Sequence, residues 1–288
     1  MLRVILLLKL LVVFLVQSIQ AAPDVKQCPA TKEYLEQVRL AENISQPVDY
    51  ACFVDIGEIT IADYLVVDAR EPRHNKDVLI PSSIRMSAKQ LATHEFLKDN
   101  KLLLLGEGYN TTQMANLCYH LVKSGFNEVK IINNGIWAWH LASKPLSGKE
   151  GDIKQLNHVS ANQVFRALHN DGFYLLVSDM YQQYLTKLIG TNQTLADLLN
   201  NKVIYFPKKT KELSAFIEKQ MQRMTAMGQY PTFVLLADGQ LKHNLNKQLP
   251  LRNLFILSDS IQALLVEYAK SERTAQRYGA VPNRYQCQ

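Results

Sequence analysis

Leu102-Leu-Leu-Leu-Gly-Glu-Gly-Tyr-Asn-Thr-Thr112 decides the fold. Four consecutive leucines with no polar residue between them suit a strand buried on both faces, as in a parallel sheet covered by helices. The glycine-bearing polar stretch 106–112 then turns the chain. Residues 113–124 follow with Met114, Leu117, Cys118, Leu121 and Val122 at helical spacing, and Gly125 gives a C-terminal stop. Strand, turn and helix repeat outward from this unit. Residues 64–68 read as a buried strand, 88–98 as a short helix, 129–132 as a third strand and 135–141 as a further helix. Strands alternating with helices predict βαβ units, hence an α/β domain built on a parallel sheet.

The second half repeats this grammar. Ser160 is placed to cap a helix over 161–169, and 173–179 reads as a strand. Residues 203–206 form another strand, followed by a long helix over 208–227, strands at 233–236 and 253–257, and a last helix from Ser260. Leu102-Leu-Leu-Leu-Gly-Glu-Gly108 parallels Phe233-Val-Leu-Leu-Ala-Asp-Gly239. Ile132-Asn-Asn-Gly-Ile-Trp-Ala-Trp139 parallels Leu257-Ser-Asp-Ser-Ile-Gln-Ala-Leu264. The matching order argues for a distant internal duplication. The expected division is a signal peptide (1–22), an N-terminal helical segment (23–54) with its helix over 30–40, a first domain (55–147), a linker (148–156), a degenerate second domain (157–270) and a C-terminal tail (271–288).

The N-terminus sets the expected compartment. Met1 and Arg3 precede an apolar run over 4–16 broken only by Lys9, and small polar residues lead to Ala21, Ala22 and Pro23. That is the pattern of a secretory signal cleaved after Ala21 or Ala22. The run is short of the roughly 20 apolar residues that a spanning helix needs. The expectation is export, to the periplasm where the cell is a Gram-negative bacterium, with no membrane association after cleavage. The basic residues, net +6 over the whole chain, are scattered and leave no nucleic-acid footprint.

Four cysteines carry weight in an oxidising compartment. Cys118 lies on the apolar stripe of its helix and reads as a buried core thiol. Cys28, Cys52 and Cys287 fall outside the expected cores, so Cys28–Cys52 is the candidate disulfide, with Cys287 as an alternative partner. There is no C-x-x-C, and His74, His94, His120, His140, His158, His169 and His243 show no metal-ligand spacing. Neither a metal nor a cofactor is implied. Trp137 and Trp139 read as core packing rather than a ligand-stacking pair.

Residues 55–146 resemble the rhodanese (sulfurtransferase-like) family. The resemblance rests on Leu65-Val-Val-Asp-Ala-Arg-Glu-Pro72, Leu79-Ile-Pro-Ser-Ser-Ile84, Ser124-Gly-Phe-Asn-Glu-Val129 and Asn133-Asn-Gly-Ile-Trp-Ala-Trp139. The second domain resembles the family only through the repeat. The resemblance implies two rhodanese-like domains and a structural ion pair between Asp68 and Arg70. It also implies a catalytic loop of pattern C-x-x-G-x-R-[ST] after the central strand, whose backbone N–H groups and helix N-terminus stabilise a cysteine thiolate and its persulfide.

That loop is here Gly106, Glu107, Gly108, Tyr109, Asn110, Thr111 and Thr112. The cysteine position falls on Gly106 or, shifted by two, on Gly108, and Thr111 or Gln113 stands near the place of the arginine. Glu107 puts a negative charge where an anion would have to bind. In the second domain Ala237 and Asp238 occupy the loop, again without cysteine. No catalytic residue is assigned. The loop is a candidate anion or ligand site, with Thr111 or Thr112 expected to cap the following helix. The expected function is a non-catalytic binding or scaffold protein of the bacterial envelope, with an envelope protein partner that the sequence does not name. The alternative is a thiol- or sulfur-handling enzyme using Cys28, Cys52 or Cys287.

Overall fold

The computed structural model describes residues 50–71, 78–168, 170, 172–190, 196, 199, 201–206, 210–226, 230–236 and 251–279. The signal segment, the expected 30–40 helix, Cys28, Cys287, the Ala237–Asp238 loop and the tail beyond Gly279 lie outside them.

Ten parallel strands form two five-stranded sheets. The first contains β1 (Phe53–Val54), β2 (Leu65–Asp68), β3 (Ile84–Arg85), β4 (Lys101–Leu105) and β5 (Glu128–Ile132) in the order β1-β5-β4-β2-β3. The second contains β6 (His158–Val159), β7 (Phe173–Ser178), β8 (Val203–Phe206), β9 (Thr232–Leu236) and β10 (Leu254–Leu257) in the order β6-β10-β9-β7-β8. Each strand of the first sheet thus has a counterpart at the same place in the second, five positions later in chain order. The central strands β4 and β9 are the two runs whose sequences match.

The helices are α1 (Ala88–Thr93), α2 (Thr111–Lys123), α3 (Gly135–Leu141), α4 (Glu150–Ile153), α5 (Ala161–Ala167), α6 (Gln182–Gly190), α7 (Thr210–Ala226) and α8 (Ile261–Gly279). The expected 88–98 helix ends early: after α1 the chain changes at His94 to a 3-10 turn over Glu95–Leu97. The first sheet begins at Phe53, two residues ahead of the expected boundary at Asp55. Two-residue strands such as β1, β3 and β6 are too short to leave a periodic pattern, and the sequence reading passes over them. The 148–156 linker contains α4, and Ser147 just before it bridges antiparallel to Leu79.

Alternation along β4 divides the packing. Leu102 and Leu104 face α2, where Ala115, Leu117, Cys118 and Leu121 cover them. Leu103 and Leu105 face the opposite side and join a core that runs without a break into the second sheet. That core takes Ile136 and Trp137 from α3, Val234 and Leu236 from β9, Phe255 and Leu257 from β10, and Val164 from α5. The other face of the second sheet is closed by Leu213, Ile217 and Met224 of α7. All four β4 leucines are fully buried, as their unbroken run requires.

The cysteine expectation is corrected. Cys118 is not a lone core thiol, and Cys52 does not wait for Cys28 or Cys287: Cys52 and Cys118 form a disulfide. A short 3-10 turn (Tyr50–Cys52) leads into β1 at the sheet edge, and α2 lies across the same face, so the two Cα atoms come within 6.5 Å. Sequence spacing placed Cys52 ahead of the core because β1 was not legible.

The bridge closes a 66-residue span, which in the chain-entropy model is worth about 4 kcal/mol. Replacing both cysteines by alanine is expected to lower the urea midpoint accordingly. In the native protein neither thiol should alkylate until a reductant is added, and mass spectrometry of the alkylated peptides checks this.

Candidate functional site

The loop between β4 and α2 is held by backbone packed on backbone. Gly108 has φ +93°, and a Cβ there would collide with the Asn134 carbonyl and meet Phe255 Cζ at 3.0 Å. Gly135 has φ +52°, and its Cβ would run into the Gly106 carbonyl. Asn134 itself is left-handed, at φ 59°. Only glycine accepts both the positive φ and the missing space at positions 108 and 135. Ile136 N–H then donates to Gly106 O at 3.1 Å, tying the start of α3 to the first loop residue.

Asn110, not Thr111 or Thr112, caps α2. Its side-chain oxygen accepts from Gln113 N–H, while its amide nitrogen donates to Gln113 Oε1. The helix begins at Thr111 because asparagine takes the non-helical backbone of a cap and closes a reciprocal pair with the residue three further on. Thr111 is buried.

The second domain closes over the loop. Asn170 Nδ2 donates to Asn110 Oδ1 at 2.7 Å, and Asn134 Nδ2 donates to Asn253 Oδ1 at 2.8 Å. Trp137 Nε1 donates to the Leu251 carbonyl at 3.0 Å, while Trp139 is buried and bonds Pro145 O. The Tyr109 ring sits edge-on to Phe255, centroids 6.1 Å apart. Gln163 hydrogen-bonds the Tyr109 hydroxyl. Because Gln163 Oε1 already accepts from Ser160 N–H in the α5 capping box, its amide nitrogen is the group that faces Tyr109. Burial, with Glu107 nearby as a second cause, pushes the Tyr109 phenol well above its usual range.

Asp68 and Arg70 form a bidentate buried pair. Arg70 Nε donates to Asp68 Oδ1 at 2.7 Å and a terminal nitrogen donates to Oδ2 at 2.6 Å and to Val78 O at 2.8 Å. Both side chains are essentially inaccessible, and their role is to fix the end of β2 beside the loop. Among the described residues the second sheet carries no counterpart. In register with the central strands, Asp68 stands opposite Leu105 and Val177 opposite Leu236, and Ser178 and Asp179 follow Val177.

A cleft of about 240 Å³ opens beside the loop. Gly106, Glu107, Tyr109 and Asn110 supply one wall, the α2 residues Gln113, Met114 and Leu117 another, and Gln163 and Arg166 of α5 a third. Ala69, Glu71 and Ala88 complete it. The sequence reading identified the loop. It missed the α5 residues, since nothing local in Gln163 or Arg166 tells that they cross to the other domain.

The fold and site define an α/β protein: two parallel sheets, each with helices on its faces, and a loop-to-helix turn after the central strand of the first. Solved structures similar to parts of this chain include rhodanese-like domains. A rhodanese-like domain from Anabaena is 21% identical, covering 29% of this chain and 98% of its own length, with a TM-score of 0.27. A rhodanese-related protein from Thermoplasma volcanium is 26% identical over 30% of this chain and 85% of its own, TM-score 0.26. A full-length protein from Lactobacillus plantarum is 22% identical over 42% and 98%, TM-score 0.29. No family model and no curated protein matches the chain.

Two predictions follow from this geometry. Gly108→Ala and Gly135→Ala should each cost more than the roughly 1 kcal/mol of a strained but open glycine site. Gly125→Ala, at φ +87° with open space around it, supplies that reference, and urea denaturation of the three variants decides the ranking. The second concerns pH. The native state holds the Tyr109 proton where the unfolded chain, with tyrosine at its ordinary 10.0, has begun to lose it. The stability from Tyr109 is therefore complete below about pH 10 and declines as pH rises above it. Tyr109→Phe should flatten that alkaline decline, as measured by denaturation midpoints at increasing pH.

Proposed function

We propose that this protein is a non-catalytic binding protein of the bacterial envelope, with the cleft beside the 106–112 loop as its binding site. The observation that carries the reading is the packing at Gly106 and Gly108, the two positions open to a nucleophile. Gly108 is wedged between Asn134 and Phe255, so no side chain can project from it without moving backbone. At Gly106 a Cβ would press on Met114 Sδ at 2.8 Å, a flexible neighbour. The steric block there is mild, and the chemical one is not. Glu107 adjoins the position, and no arginine follows in the loop to neutralise a thiosulfate or persulfide anion.

The thiol-enzyme alternative loses one of its three residues, because Cys52 is buried and bonded to Cys118. An envelope location accords with that disulfide, which an oxidising compartment maintains, and with the signal-like N-terminus.

The mature protein is expected to release no sulfur from thiosulfate to cyanide, and Gly106→Cys is expected to restore none. Restoration by Gly106→Cys alone would mean that the loop still supports a persulfide, and the binding reading would have to be given up for a dormant enzyme. Turnover by the unmodified protein would overturn it directly.

A further inference from the structure

We infer that the Cys52–Cys118 bridge is a redox latch on the cleft: a dithiol that reduces it frees β1 and lets the 106–112 loop open. This rests on the binding reading just given and adds the regulation of that site. The bridge closes a ring whose two arms both end at the loop. Along one arm, Cys118 lies about two turns beyond Thr111 on α2, and Leu117 beside it lines the cleft. Along the other, Cys52 leads directly into β1. There Val54 O accepts from Asn133 N–H at 3.0 Å, and Asp55 Oδ1 accepts from Asn133 Nδ2 at 3.4 Å. Asn133 precedes Asn134, whose carbonyl seats Gly108. A branch of this arm crosses to the second domain. The Phe53 ring stacks on Tyr230, centroids 5.9 Å apart, and the Tyr50 ring lies 4.9 Å from the same ring. Tyr230 adjoins Pro231, whose carbonyl accepts from Asn253, and Asn253 in turn accepts from Asn134.

While the bridge is closed, β1 is tied covalently to the helix that the loop begins. Once it is open, β1 depends on non-covalent contacts alone. It is an edge strand of two residues, paired to β5 at Phe53 with Ile131 and at Val54 with Ile132, and the turn before it spans three residues. So short an edge element opens at a small fraction of the cost of global unfolding. The same opening gives the reductant its access, because in the closed protein Cys118 is 2% and Cys52 8% exposed. A thiolate of the dithiol attacks Cys52 Sγ, the bond between the sulfurs breaks, and Cys118 leaves as a thiolate that takes up a proton. The second thiol then displaces Cys52 and closes the reductant's own disulfide. The protein gains two electrons and two protons, and the dithiol loses them.

The test is amide hydrogen exchange, read by NMR on the full mature protein before and after treatment with dithiothreitol. The reporters are Asn133 and Ile136, whose N–H groups hold Val54 O and Gly106 O, and the reference is Leu235 in the centre of the second sheet. Dithiothreitol is expected to open the bridge without denaturant, and the exchange of both reporters relative to Leu235 should then rise roughly tenfold or more. Cys52→Ala/Cys118→Ala, measured without reductant, should show the same rise, which assigns it to this bridge rather than to Cys28 or Cys287. Thermal melts of the reduced protein and of the variant should each show a cooperative transition. A bridge that opens only in unfolding concentrations of urea, or a chain that loses its fold on reduction, would make it a staple of the whole molecule and overturn the latch. So would reporters and reference that speed up together, or a variant whose ratio matches the oxidised protein. Those outcomes strike the latch and leave the cleft reading standing, because thiosulfate turnover decides that reading separately.

Discussion

The site depends on one constraint: two stretches of backbone lie closer together than any side chain permits. Gly108 rests on the carbonyl of Asn134, and Gly135 rests on the carbonyl of Gly106. Each contact fixes the other. The β4–α2 loop cannot move outward without losing the Ile136-to-Gly106 hydrogen bond, and α3 cannot shift without pushing Gly135 into the loop. Because α3 carries Trp137, which bonds the Leu251 carbonyl, the same contact orients the second domain over the loop.

The two sheets share strand order, and their difference is chemical. In the first, a carboxylate–guanidinium pair closes the end of β2. In the second, Val177 and Ser178 stand at that level, and Ser178 is wholly buried. What the second domain contributes to the site comes from elsewhere: Phe255 against Gly108, Asn253 against Asn134, Gln163 against Tyr109. The second domain forms a wall of the first domain's loop. The unbroken core through Leu103, Leu105, Val234 and Phe255 makes that arrangement part of folding itself rather than a docking of finished halves. The hydrogen bonds among Asn110, Asn170, Asn134 and Asn253 then satisfy polar groups that this closure buries.

Much of the fold was legible in sequence because the signals were local. The run Leu102 to Leu105 could only be a strand buried on both faces, and Gly125 and Ser160 mark helix ends by their own chemistry. The repeat at Phe233 to Gly239 named the second central strand before any coordinates. What escaped had no local signature. Phe53–Val54 and His158–Val159 are edge strands of two residues, and a periodicity of two needs more than one repeat to be seen. Missing the first of these also hid the disulfide, since without β1 there was no reason to bring Cys52 onto the α2 face. The cap fell to Asn110 rather than to either threonine because its pairing with Gln113, in reach of Asn170, is a tertiary arrangement. The loop after the central strand was readable in sequence, but its closure by α5 was not, for Gln163 and Arg166 lie on an ordinary amphipathic helix.

The Asp68–Arg70 pair is the most strongly restrained charged group beside the loop. Both groups are removed from water, and each is balanced almost wholly by the other and by the Val78 carbonyl. Removing one partner leaves a bare charge in apolar surroundings, a loss on the order of 3–5 kcal/mol, whereas exchanging both together for apolar residues can be neutral. Single substitutions are therefore blocked at this pair whatever the protein does. At Gly106, by contrast, an added Cβ would first meet the flexible Met114 side chain, so the steric restraint on a side chain there is mild. The Asp68–Arg70 pair keeps the end of β2 closed beside the loop.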